Sequence, residues 1–332
     1  MRILVTGGAG FIGSHLCESL LERGNEVWAL DDLSTGRLEN LRTFERHPRF
    51  RFLEANVMDQ PLVNGLVAQC ERVFHLAAAV GVKYVLENPL RSLITNIRGT
   101  EVVLQACAEH ARRAILFSSS EVYGKGVAVP FKEDDDRLMG PTNKLRWSYA
   151  AGKSVDECLA QAYWQQQRLN VTVVRCFNTC GPRQTSAYGM VIPNMIVRAL
   201  SREPILVYGD GEQTRCFSAV SDVVHGVLLL ADARGTEGEI YNIGTDEEIS
   251  VKDLARRIKD MCQSDSHIEF VPYENVYGGS FEDMRRRVPD LTKIARAVGY
   301  HPLVLLDQLL ELTIRDMCEQ MSMPVPAGLA SA

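Results

Sequence analysis

The sequence predicts an α/β fold: a doubly wound parallel sheet covered by helices on both faces, with a smaller, discontinuous α/β domain appended. Three observations lead there. Short β-branched or aromatic runs alternate with helix-period segments through the first half of the chain, the pattern of a parallel sheet buried on both faces. A glycine-rich turn, Gly7-Gly8-Ala9-Gly10-Phe11-Ile12-Gly13, joins the first such run to the first helical segment. Beyond Asn178 the punctuation changes, with Gly181-Pro182, Pro193, Pro204 and Gly209-Asp210-Gly211 marking shorter elements.

Strands are predicted at Ile3 to Thr6, Glu26 to Leu30, Phe50 to Leu53, Val73 to Leu76, Ala114 to Phe117 and Val171 to Cys176. Helices fall at Phe11 to Arg23, closed by Gly24-Asn25, at Pro89 to His110 and at Ser148 to Arg168. The segment Ser221 to Ala231 and the strand Glu239 to Ile243 return to the character of the first domain. The expected division is therefore 1–178, with a returning segment at about 217–244, for the sheet domain; 179–216 and 245–322 for the second; and 323–332 as a loose tail without periodicity. Apolar residues on more than one face of the helices Pro89 to His110 and Ser148 to Arg168 leave a face for a partner helix pair, so a homodimer through a four-helix bundle is expected.

A chain of 332 residues, 46% hydrophobic and 23% charged, can bury a sizeable core. Its formal net charge of −6 offers no broad cationic face, so neither nucleic acid nor a membrane is an expected partner. Anionic ligands must then be met by local arginines and backbone amides. Nine cysteines without a CxxC pair read as reduced thiols, and seven histidines without ligand spacing point to no metal. The opening Met-Arg-Ile-Leu-Val-Thr enters a strand directly and no run of ~18 apolar residues occurs, which makes the cytoplasm the expected compartment. The acidic run Glu133-Asp134-Asp135-Asp136 lacks alternating ligand spacing and is expected to be a solvated loop.

The glycine run follows a strand, opens a helix, and is followed by a second strand ending on Asp31 about 20 residues later, which is the dinucleotide-binding fingerprint of a Rossmann sheet. Gly7, Gly10 and Gly13 permit the tight turn, the backbone approach to a pyrophosphate and close helix packing, while the helix N-terminus offers amides and a positive dipole end. An acid at the end of the second strand accepts from a ribose 2′-hydroxyl and repels a 2′-phosphate, so Asp31 selects NAD over NADP, with Asp32 the alternative should the register differ by one.

Tyr149 and Lys153 stand one helical turn apart in Tyr149-Ala150-Ala151-Gly152-Lys153, on one helix face. An ammonium beside a phenol favours phenolate, so the pair is expected to lower the tyrosine pKa and make it a base for a substrate hydroxyl. The fifth strand runs into Ser118-Ser119-Ser120-Glu121-Val122-Tyr123-Gly124, placing hydroxyls beyond the carboxyl end of the sheet, where ligands bind.

With HLAA at His75 to Ala78, Arg175-Cys176-Phe177-Asn178 and Gly181-Pro182-Arg183, these motifs resemble the extended short-chain dehydrogenase/reductases, specifically the NAD-dependent nucleotide-sugar epimerases, dehydratases and decarboxylases. The resemblance covers nearly the whole chain. It implies Tyr149 as base, Lys153 as its partner on the nicotinamide ribose, and Ser119 as the hydroxyl on the sugar C4 oxygen. It implies Phe11, Ile12, Asn56, Val57, Leu76 and Ala77 around the cofactor, although many relatives carry aspartate where Asn56 stands. It implies Ser120, Asn178, Asn194, Arg215 and Arg287 around a UDP-sugar.

Members of the family oxidise C4 and then diverge. Dehydratases carry Asp-Glu where this chain has Ser120-Glu121, so the acid for a departing C6 hydroxyl is missing. Ser-Glu there, the stretch Gly140 to Tyr149, and Tyr277-Gly278-Gly279-Ser280-Phe281-Glu282-Asp283 followed by Arg287-Val288-Pro289-Asp290 resemble UDP-glucuronate decarboxylases, which makes Glu121 and Arg287 the specific catalytic pair. The segment Ala79-Val80-Gly81-Val82-Lys83-Tyr84 is more like the UDP-glucose 4-epimerases, and a UDP-glucuronate 4-epimerase lies between the two readings. A reading of another class, a non-catalytic NAD-binding regulatory protein, conflicts with the intact Ser119, Tyr149 and Lys153.

Overall fold

The computed structural model describes residues 1–126, 128–277 and 284–329. Seven parallel strands form one sheet. They are β1 (Arg2–Thr6), β2 (Glu26–Asp31), β3 (Phe50–Glu54), β4 (Arg72–His75), β5 (Arg113–Ser119), β6 (Val171–Cys176) and a last strand, Ile240–Ile243. Their spatial order is Ile240–Ile243, β6, β5, β4, β1, β2, β3, so the winding reverses between β1 and β4. That reversal opens a crevice at the carboxyl ends of the strands, where open α/β sheets bind ligands.

The strand interiors are apolar on both sides because both faces are covered. Helix α1 (Phe11–Glu22) and a helix at Val220–Asp232 bury Leu16, Leu20, Val223 and Val227 against one face. On the other, α2 (Gln60–Gln69), α3 (Val82–Glu87) and α4 (Pro89–Glu109) precede α5 (Ser148–Gln167), and Val63, Val67, Val103, Cys107 and Ala160 fill the layer. Each fully buried valine or leucine there contributes roughly 1.5–3 kcal/mol relative to exposure. Helix α1 ends as its sequence requires, with Gly24 at φ +84°, a left-handed position that glycine adopts without strain.

A third core joins Ile192, Ile196, Leu254, Ile258, Leu310 and Ile314 from the helices Val191–Leu200, Val251–Met261 and Leu306–Gln320. Thr214–Cys216 pairs antiparallel with Glu248–Ser250 and parallel with Arg286–Arg287, setting Arg287 opposite Arg215. Two expectations change here. The end of the chain is not loose through Leu329, since Val325 and Leu329 pack on this third core. Nor is the acidic run wholly solvated: Glu133 is buried, because its carboxylate accepts the Asn242 backbone amide at 2.8 Å and so completes the edge of the sheet.

Candidate active site

The first turn of the sheet shapes a cradle. Gly7 sits at φ +73°, and a Cβ on it would lie 2.7 Å from the Ala77 nitrogen. On Gly13 a Cβ would lie 2.0 Å from the Gly7 carbonyl oxygen, so α1 approaches the turn more closely than any side chain allows. Gly10 is the N-cap of α1 and supplies no side-chain acceptor, which leaves the first amides of the helix for an anion. At the end of β2, Asp31 accepts from the Ala9 amide at 3.0 Å and the Leu33 amide at 2.9 Å. Burial pushes its carboxyl above the ordinary aspartate range, the Leu33 and Ala9 amides oppose that, and neighbouring Asp32 adds to it. A turn that a Cβ would fill, an uncapped helix start and a buried acid at the second strand end together fit a dinucleotide.

The cradle opens into a cavity of about 570 Å³. Its walls bring together Gly7, Gly10, Phe11, Ile12, Gly13, Asp31, Val57, Leu76 and Ala77 with Ser119, Ser120, Glu121, Tyr149 and Lys153. The same cavity reaches Asn178, Asn194, Arg215 and Arg287 from the second half of the chain. Asn56 stands apart from these: its amide nitrogen donates to Asp32 at 3.2 Å and its oxygen accepts the Met58 amide at 2.9 Å, while Ala55 and Val57 line the wall.

Tyr149 and Lys153 share a face of α5. The Tyr149 phenol neighbours the Ser119 side chain, and both line one part of the cavity. The lowered tyrosine pKa expected from an adjacent lysine is not what the chain arranges. Burial pushes the Tyr149 phenol upward, and the carboxylates of Glu121 and Asp156 add to this. Lys153 is instead committed elsewhere: its ammonium donates to the Phe117 carbonyl at 3.0 Å and faces the Asp156 carboxylate at 3.2 Å.

Glu121 follows the end of β5 in the short helix Ser120–Tyr123 and is gripped from two sides. Arg146 reaches one carboxylate oxygen at 2.7 Å, and Arg287 donates to the other. Burial alone would raise the Glu121 pKa, but the two guanidinium groups outweigh it and hold the carboxyl well below its usual range. A depressed folded pKa means that this triad stabilises the fold above the ordinary glutamate pKa and loses that contribution only as pH falls through the lowered value. Arg287 also donates to Asn178 Oδ1 at 2.5 Å, while Asn178 donates to the Cys216 carbonyl at 3.0 Å. The arginine fork thus bridges the two halves of the cavity. Arg215, on the neighbouring strand, is buried and donates to the Thr214 carbonyl at 2.7 Å. Asn194 donates to the Ser186 and Met190 carbonyls at 2.8 and 2.7 Å, which fixes its side chain at the cavity wall.

Sequence reasoning missed three groups. Arg146 sits in the turn Leu145–Trp147, and nothing in its local pattern points at Glu121, which is far away in sequence. Glu157 and Arg175 form a buried pair behind the serines, with bonds of 2.9 and 2.8 Å, and Ser118 donates to Glu157 at 2.6 Å. Asp156 is the third, and its i, i+3 spacing from Lys153 on one helix face is the signal that points to it. Of the epimerase-like stretch, Ala79, Val80 and Gly81 line the cavity, and the side chains of Val82 and Lys83 lie outside the described residues, as does 278–283 of the decarboxylase-like segment. Among the described residues no cluster of ligating side chains could hold a metal ion.

Comparison with known proteins agrees with this geometry. The family model for GDP-mannose 4,6-dehydratase matches residues 4–313. The UDP-N-acetyl-alpha-D-glucosaminuronate decarboxylase of Bacillus cytotoxicus is 44% identical over 315 residues, covering 95% of this chain and 97% of that protein. UDP-glucuronic acid decarboxylase 1 of Danio rerio is 36% identical over 316 residues, covering 95% of this chain and 72% of the relative. The crystal structure of UDP-glucuronic acid 4-epimerase from Bacillus cereus, in complex with UDP-glucuronic acid and NAD, superposes with a TM-score of 0.87 at 27% identity, covering 96% of this chain and all (100%) of that one. The chain belongs to the GDP-mannose 4,6-dehydratase-like family of extended short-chain dehydrogenase/reductases, and within it is an NAD-dependent enzyme of the nucleotide-sugar decarboxylase and epimerase type.

Proposed function

We propose that the enzyme decarboxylates a UDP-hexuronate, with UDP-glucuronate as the simplest substrate. The observation that carries this reading is the Glu121 carboxylate held between Arg146 and Arg287 in the cavity that also contains Tyr149 and Ser119. An epimerase of a neutral sugar has no carboxylate for Arg287 to meet.

The cradle at Gly7 to Gly13 and Asp31 would hold the cofactor. When bound, NAD supplies the oxidant for the carbinol at C4. Tyr149 takes the C4 hydroxyl proton, and Ser119 holds the oxygen. The sugar carboxylate is then beta to a ketone. The bond between C5 and the carboxyl carbon breaks, carbon dioxide leaves, and the electron pair moves onto the C4 oxygen as an enolate that Tyr149 and Ser119 stabilise by hydrogen bonds. A proton from water completes C5. Arg287 orients the carboxylate, and Asn178 and Arg215 meet the pyrophosphate, a task suited to planar, forked donors.

The Bacillus cytotoxicus relative favours a second reading of the substrate, a hexuronate with an acetamido group at C2. The assay therefore pairs UDP-glucuronate with UDP-N-acetylglucosaminuronate in the presence of NAD, followed by mass spectrometry and NMR. Loss of carbon dioxide from either is the expected result and names the preferred sugar. Unchanged mass with inverted C4 would replace the decarboxylase by an acid epimerase.

The same reading includes a cytoplasmic homodimer. All nine cysteines are free thiols, which suits a reducing compartment, and no described helix is long and apolar enough to cross a membrane. Leu90 and Ile94 on α4 and Val155 on α5 are exposed at 71%, 46% and 42%, as a helix pair awaiting its copy would be. Light scattering at micromolar concentration is expected to give twice the chain mass; a monomer would end the proposal.

A further inference from the structure

The Lys153 ammonium is anchored to a chain of buried polar groups that crosses the sheet domain. Its partner Asp156, 3.2 Å away, is fully buried, as is Thr100 on α4, which neighbours the Asp156 carboxylate. Thr100 in turn lies 3.2 Å from His75 Nε2, and His75 Nδ1 lies 2.7 Å from the Thr6 hydroxyl. Thr6 precedes the glycine turn, and its oxygen accepts the Ala77 amide at 3.3 Å. Burial, with Lys153 adding, pushes His75 down to about 3, so the imidazole is neutral and the chain holds one cation and one anion: Lys153 and Asp156.

We infer that Asp156 is a positioning residue: it fixes the Lys153 ammonium on the β5 side of the cavity and offsets that positive charge at the Tyr149 phenol. The inference rests on the reading of Tyr149 as base. A carboxylate this deep, taken from water, is retained at a cost, and here its one close compensation among the described residues is the Lys153 ammonium on the face of α5 that carries the tyrosine, both carboxylate oxygens lacking a hydrogen-bond donor in good geometry. Asp156 shares the surroundings of Tyr149 with Glu121 from the turn after β5, Arg146 one turn earlier, Arg287 across Glu121, and the Cys176 thiol on β6. The described contact from α4 is the uncharged Thr100, and Glu157 is the other carboxylate close to Asp156. The Asp156 charge adds to the upward push on the phenol, so its removal leaves more of the Lys153 field at Tyr149.

The test is the pH dependence of kcat for the holoenzyme, with Asp156→Asn as the first variant. The amide is close in shape to the carboxylate, keeps an oxygen facing Lys153 and removes the charge. The acid limb is expected to move to lower pH by roughly one unit. Thr100→Val, close in shape to the native residue, is the second variant. Losing the hydroxyl that neighbours Asp156 favours the neutral carboxyl, so the limb moves the same way by a smaller amount. An acid limb that stays within about 0.2 units of wild type in both variants, or in Thr100→Val should Asp156→Asn not fold, overturns the inference. Tyr149→Phe is assayed beside them: if it retains turnover, the reading of Tyr149 as base fails, which is a different result from an unmoved limb.

Discussion

Tyr149→Phe is expected to lower kcat by about 10³-fold with KM for the UDP-sugar changed by less than threefold, the size of a lost general base. The ring is kept and only the hydroxyl goes, so cavity shape and the packing of α5 survive. Two features make the effect large. The phenol stands beside Ser119 in the cavity, so the variant loses both the proton acceptor and a donor to the C4 oxygen. No other described group replaces it: Lys153 is held by Phe117 and Asp156, and Glu121 by two arginines. NAD affinity, followed by titration of protein fluorescence, is expected to stay within threefold of wild type because the glycine cradle is untouched. A variant with more than a tenth of wild-type kcat would remove Tyr149 from the role of base.

Much of the sheet domain was readable because its signals are local. Strand β1, the glycines at 7, 10 and 13 and Asp31 lie within one βαβ unit, and β6 is placed at Val171–Cys176 as expected. Tyr149 and Lys153 were readable for the same reason, being one turn apart on a helix. The remainder depends on contacts between distant segments. Arg146 acquires meaning only when the chain brings Glu121 beside it, and Glu133 is buried only because the edge strand at Asn242 needs an acceptor. The upward shift of the tyrosine differs from the expected direction on a similar ground. Spacing predicts that lysine and tyrosine share a face, but not that a third residue on that face, Asp156, takes up the lysine charge.

The clamp on Glu121 makes the second prediction large as well. Arg287→Ala is expected to reduce carbon dioxide release by about 10²–10³-fold, the scale for one preorganised group aimed at developing charge, and to raise KM as a carboxylate partner is lost. Arg287→Lys recovers little of this, because an ammonium cannot serve Glu121 and Asn178 together as the two guanidinium nitrogens do. The loss is not one of folding. Glu121 keeps Arg146 at 2.7 Å when Arg287 is removed, so its carboxylate remains paired, and the melting temperature is expected to fall by only a few degrees. Removing Arg146 leaves the mirror arrangement, with Arg287 drawn wholly to Glu121 and away from the sugar, so Arg146→Ala also slows decarboxylation while C4 oxidation, read as single-turnover NADH absorbance, continues. Decarboxylation by Arg287→Ala within tenfold of wild type would detach the clamp from the chemistry and return the cavity to an epimerase's.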